Sequence, residues 1–162
     1  SNEKEMVLMK KYLDRAIELA FNNIESGGTP YGAVVVYNDD IIGEGYNTLH
    51  DSFDVSGHAE LIAIKQAQQV LQTNDLSGCT IYASGHPCPM CFGAIGFVGI
   101  NHIVYANSLE EASDVAMGLS QDIYQYLKGE MSPYQIKIEH RPILIDEENP
   151  MKVYGEKINT VD

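Results

Sequence analysis

CTIYASGHPCPMCFGAIGFV, residues 79–98, changes character halfway along. Its first part, CTIYAS (79–84), mixes β-branched and aromatic residues and reads as a strand. Its second part opens on Pro89, a residue suited to the first turn of a helix, and runs as a helix of about ten residues to Val98. Upstream, AVVVY (33–37) and IIGEGYN (41–47) flank the turn-rich tripeptide Asn38-Asp39-Asp40 and read as a hairpin. Between hairpin and strand, His58 opens an alanine-, leucine- and glutamine-rich helical run that reaches Gln72. Downstream, HIVYAN (102–107) reads as a fourth strand, and Ser108 to Lys128 as helix in two pieces broken near Gly118. YQIKIEH (134–140) alternates as a fifth strand, and one short helix is expected in the acidic tail from Asp146. Residues 3–26 carry apolar positions at near-helical spacing, ended by Gly27-Gly28. The order β-β-α-β-α-β-α-β after that first helix specifies an α/β layer architecture, a mixed sheet with helices on its faces.

The 162 residues fit a single domain over 1–162, with no repeat, low-complexity stretch or linker to divide them. A chain of this size buries roughly two-thirds of its unfolded surface, so it needs no disulfide or metal merely to fold. With 44% apolar and 20% charged residues, disorder is not expected. No apolar run reaches the ~18 residues of a membrane span, and the opening SNEKEMVLMKKYL lacks the pattern of a secretory signal. A net charge of −13 repels phosphate backbones and anionic lipid surfaces, so neither nucleic acid nor membrane is an expected partner. Cys79, Cys88 and Cys91 are an odd set without a secretory signal, which points to a reducing, cytoplasmic location rather than a disulfide framework.

Two fragments carry the chemistry: His58-Ala59-Glu60 and Pro87-Cys88-Pro89-Met90-Cys91. Each follows a loop and opens a helix. Cys88 and Cys91 are i, i+3 neighbours on one helical face, so both thiolates reach one ion, and His58 supplies a third ligand from another helix. Three protein ligands leave a position for water, the mark of a catalytic rather than a structural zinc site. The positive ends of the two helices face the thiolates and lower their pKa values. Zinc lowers the pKa of bound water toward ~7, and Glu60, two residues from the ligand histidine, is placed to move its proton to a ring nitrogen and then to a departing amine. A lone Cys-x-x-Cys also occurs in redox motifs and zinc knuckles, but there is no second pair and no thioredoxin-like strand before it. Cys79 reads as a small buried hydrophobe, and His50, His102 and His140 as ordinary surface or core histidines.

The joined pattern H-x-E followed by P-C-x-x-C is the signature of zinc deaminases acting on nucleobases. With it the sequence resembles the cytidine deaminase-like superfamily, and within it bacterial guanine deaminases. The likeness runs through GGTPYGAVVV (27–36), GEGYN (43–47), HAELIAIKQA (58–67), PCPMCFGAI (87–95) and SPYQIKIEH (132–140). It implies a three-layer α/β/α sandwich with a five-stranded mixed sheet, and one Zn²⁺ per chain held by His58, Cys88 and Cys91. It implies proton transfer by Glu60, a base hydrogen-bonded by Asn47 and by the Ala59 backbone N–H, and Tyr31 beside the pocket. The implied reaction is hydrolysis of guanine to xanthine and ammonia, in a homodimer whose C-terminal segments are often exchanged.

The sequence departs from that pattern at His86, where these enzymes usually carry glutamate. Asp114, Asp122 and Tyr154 lie in regions where guanine deaminases use an aspartate and an aromatic residue, but no motif aligns them and no role is carried over. Other readings stand beside guanine: a cytosine- or cytidine-type deaminase, a tRNA adenosine deaminase, or a zinc-stabilised scaffold without activity. The tRNA reading needs basic residues around the site, whereas the tail reads DEENPMKVYGEK (146–157). The scaffold reading has to explain why all three ligands and Glu60 are present.

Overall fold

The computed structural model describes residues 2–159. Helix α1 (Asn2–Glu25) leads into the hairpin β1 (Gly32–Tyr37) and β2 (Asp40–Tyr46). Then come α2 (Ala59–Leu71), β3 (Thr80–Gly85), α3 (Pro89–Phe97) and β4 (Ile103–Asn107). Helices α4 (Leu109–Ser113), α5 (Leu119–Leu127) and α6 (Pro150–Asn159) follow. The expected elements are present to within a few residues, with one exception.

The hairpin turn is made by Asn38 and Asp39, both at positive φ (48° and 65°), the backbone that matches the twist of antiparallel strands. The Tyr12 hydroxyl of α1 donates to the Asp39 carbonyl at 2.6 Å and ties the helix to that turn. The sheet runs β2-β1-β3-β4; β1 is antiparallel to β2 and β3, while β3 and β4 are parallel. Alternate residues of β1 divide the core: Val34 and Val36 join Tyr12 and Leu19 of α1, whereas Ala33 and Val35 join Ala63, Ile64 and Ile95 of α2 and α3. This is the three-layer α/β/α sandwich. Helix α2 lies so close to β2 that a Cβ at Gly43 or Gly45 would collide with the Ala63 and Ala59 carbonyls. Arg15 of α1 forks onto Glu44 of β2, Nε to Oε2 at 2.6 Å and Nη2 to Oε1 at 3.1 Å. Among the described residues no helix is long and apolar enough to cross a membrane.

The exception is the fifth strand. The sheet of the described residues has four strands, and YQIKIEH (134–140) forms no ladder. Alternation gives a segment two faces, but a strand exists only where an edge pairs with it. Residues 134–140 are almost wholly exposed, with Ile136 touched through its carbonyl by the Tyr126 hydroxyl at 3.2 Å.

Candidate metal and base-binding site

The register sets where the site lies. Gly32 pairs with Tyr46, Ala33 with Ala83 and Gly85 with Asn107. The start of β1 and the ends of β2, β3 and β4 therefore meet at one rim of the sheet, and the helices that follow begin there. Ligands in open α/β sheets gather at such carboxyl ends.

His58 occupies the cap position before α2 in extended backbone (φ −84°, ψ 145°), and Cys88 does the same before α3 (φ −67°, ψ 167°). Both side chains thus swing into the rim. His58 Nδ1 is 3.6 Å from Cys88 Sγ and 3.6 Å from Cys91 Sγ, and the three donor atoms lie within 4.8 Å of one another. Bonds of ~2.0–2.3 Å at tetrahedral angles separate donors by about 3.5–3.8 Å, so the set has the chemistry and spacing of a zinc site. Cys91 is buried and Cys88 half-buried. The Cys91 backbone N–H donates to Cys88 Sγ at 3.5 Å. The Cys91 thiol, that N–H and His58 together hold Cys88 well below the usual thiol range, while sharing a proton with Cys88 pushes Cys91 up.

Glu60, in the first turn of α2, is only 7% exposed. Burial pushes its carboxyl up to about 7, with the Cys88 thiolate adding to the effect. Asn47, buried just past β2, is fixed by Leu49 N–H donating to its Oδ1 at 2.9 Å, and Asn23 Nδ2 donates to its carbonyl at 2.9 Å. Its remaining amide donors are left for the cavity. Tyr31 is half-buried on the same wall, its phenol pushed up by burial and by nearby Glu60.

These groups surround one cavity of about 280 Å³. Tyr31, Asn47, His58, Glu60 and Cys88 line it; Cys91 sits behind Cys88. Ala59 does not line it; its side chain is fully buried under β2. The Ala59 backbone N–H is a first-turn donor without an intrahelical partner.

Sequence reasoning missed most of the opposite wall. Leu109, Ala112, Ala116, Met117, Leu119 and Ser120 close it from α4, α5 and the turn between them. The small and apolar residues in that stretch look like ordinary helix positions, and no local signal says that they face a cavity. Asp114 and Asp122 do not line it, and Tyr154 lies exposed on α6. No Lys or Arg lines it either.

Residues 6–107 match the model of the cytidine and deoxycytidylate deaminase zinc-binding region. The chain is 40% identical over 104 residues (64% of this chain, 67% of the relative) to a guanine deaminase of Bacillus subtilis (strain 168). It is 29% identical over 143 residues (88% of this chain, 87% of the relative) to a tRNA-specific adenosine deaminase of Streptococcus pyogenes serotype M18. The X-ray structure of guanine deaminase from Bacillus subtilis superposes with a TM-score of 0.80 at 30% identity, covering 94% of this chain and 95% of that one.

Proposed function

The chain belongs to the cytidine and deoxycytidylate deaminase zinc-binding family, and we propose that within it this protein hydrolyses guanine to xanthine and ammonia. The observation that carries this reading is the convergence of His58, Cys88 and Cys91 on a small cavity that also holds Glu60. Its 280 Å³ lies just below the ~300–1,000 Å³ of ligand pockets, which suits a free base. A lining without Lys or Arg offers no cation to a phosphate backbone, and the chain's charge is −13, which argues against a tRNA substrate. The guanine deaminase relative and solved structure support the choice of base.

In this mechanism His58 Nδ1 and the two thiolates would hold one zinc ion per chain. When bound, the ion would supply water acidified enough to act as a nucleophile near neutral pH. Glu60 takes a proton from the attacking water and hands it to the ring nitrogen beside the amine-bearing carbon. It then delivers the second proton to the departing amine, so that a C–O bond replaces the C–N bond and ammonia leaves. Asn47 and the Ala59 N–H orient the ring, Tyr31 flanks it, and the α4–α5 wall keeps bulk water out.

The protein works in this reading as a single domain, in the cytoplasm, as a homodimer. The dimer is supported by large apolar groups with nothing to cover them: Phe97 on α3, Met131 and Ile145 are each at least 94% exposed. Light scattering of the purified protein is expected to give twice the 17.9 kDa chain mass.

Ammonia release from guanine, guanosine, adenine, cytosine and cytidine, with and without zinc, tests the activity. Release from guanine, lost on chelation and restored by zinc, is expected. Turnover of another member with silence on guanine moves the substrate and keeps the chemistry, as the departure at His86 would then explain. No release from any member sinks the reading.

A further inference from the structure

His86 lines the cavity but has no part in the mechanism above. Its backbone N–H donates to the Asn107 carbonyl at 2.8 Å, which pins the residue as an extension of the β3–β4 ladder. The ring is wedged edge-on between Tyr105 and Tyr124, with centroids 4.8 and 5.4 Å away and interplanar angles of 64° and 83°. Its Nδ1 lies 2.9 Å from the Pro87 carbonyl, which also accepts from the Tyr124 hydroxyl at 2.6 Å. A carbonyl only accepts, so this contact assigns the ring proton to Nδ1. Nε2 is then the one polar ring atom without a partner, and in the neutral ring it is an acceptor.

An acceptor with no proton of its own is scarce on the rest of the wall, where Thr29, Tyr31 and Ser120 carry hydroxyls that donate as well as accept. Asn47 has its oxygen occupied by Leu49 N–H and offers donors; the Ala59 N–H is a donor too. Glu60 is engaged in moving protons. The α4–α5 wall contributes aliphatic groups and the Ser120 hydroxyl. A free aminated base carries ring N–H groups as well as acceptors, and a buried N–H left unmatched costs more than a matched one gains.

We propose that His86 is a specificity-determining residue, its Nε2 accepting a hydrogen bond from a ring N–H of the base while Tyr105 and Tyr124 hold the imidazole in place. This rests on the cavity being the base-deaminating site. The substrates it selects are uncharged aminated heterocycles with an N–H at the position facing His86; rings methylated or glycosylated there are rejected.

The test uses the zinc-loaded protein and whichever panel base it turns over, set against that base's ring-N-methyl derivatives, in wild type, His86→Ala and His86→Gln. Wild type is expected to discriminate against one N-methyl derivative on the order of tenfold more strongly than His86→Ala does, at equal zinc content. His86→Gln, which keeps an amide oxygen within reach, is expected to restore part of that preference. If His86→Ala lowers kcat/KM by one common factor for the parent base and every derivative, or leaves it unchanged, the residue is only structural and the inference falls alone. If wild type turns over no base, or Glu60→Ala leaves turnover intact, the deaminase reading falls and takes this inference with it.

Discussion

Residues 32–100 and residues 101–159 are built to different standards. The first region holds three of the four strands, β1 to β3, and the two helices at whose starts His58, Glu60, Cys88 and Cys91 stand, and its interior contains Val34, Leu76, Ile81 and Ile95. In the second, no described residue is buried. The side chains of α4 and α5 that face the cavity are only partly covered, and the segment beyond them packs against almost nothing. The candidate zinc-binding groups thus stand on well-packed elements, whereas the α4–α5 wall of the cavity rests on a marginal layer. The metal donors and Glu60 are rooted in the core, and the α4–α5 wall of the cavity in its periphery. The family match, residues 6–107, takes in the whole sheet and stops before α4 and α5.

The largest effects are expected at the groups rooted in the core. Cys88→Ala should bring zinc occupancy to background by metal analysis and abolish ammonia release. Glu60→Ala should retain zinc and lower kcat by roughly 10²–10⁴-fold. Zinc retained in Cys88→Ala would break the ligand assignment, and unchanged kcat in Glu60→Ala the proton-transfer role.

Next comes the contrast between packing and wall. Leu76 is fully buried, and Leu76→Ala should destabilise the chain by about 2–5 kcal/mol in urea titration. Leu119, largely exposed at the mouth of the cavity, should alter stability by about 0.5 kcal/mol or less as Leu119→Ala, yet raise KM for the base. Equal destabilisation by the two would erase the distinction between the regions.

The smallest effect concerns α1 and β2. Hydrogen bonding from Arg15 holds the Glu44 carboxyl below the usual carboxylate range. A folded pKa below the unfolded one gives stability that is fully present above the unfolded glutamate value of about 4.3 and is lost as pH falls through the folded value. Both side chains are 34% exposed, so solvent screening limits the pair to about 1 kcal/mol or less. Glu44→Gln should flatten the fall in Tm between pH 5 and pH 3 by that small amount, and an identical acid profile would remove the pair from the account.

Local patterns read correctly wherever the residue itself enforces the structure. Asn38-Asp39 tolerate the positive φ of a tight hairpin, Pro89 starts a helix, and His58 with the Cys88–Cys91 pair betrays the metal through spacing alone. The segment 134–140 misled for the opposite reason: its alternation is genuine, but pairing requires an edge that a sequence window does not contain. Likewise nothing in Leu109, Ala112 or Ser120 marks them as cavity wall, because that role depends on β4 delivering α4 to the rim beside β3.

From its residues alone, then, this chain determined its α/β order and the His58, Cys88 and Cys91 set that could hold a metal, with Glu60 two residues from His58. The tertiary structure decided how wide the cavity is, that its far wall is aliphatic, and that the His86 imidazole is clamped between Tyr105 and Tyr124 with Nδ1 against Pro87. Those are contacts between segments 19 and 38 positions apart in the chain, from His86 to Tyr105 and Tyr124, and only the folded chain, with β4 beside β3 and α5 over the rim, brings them together.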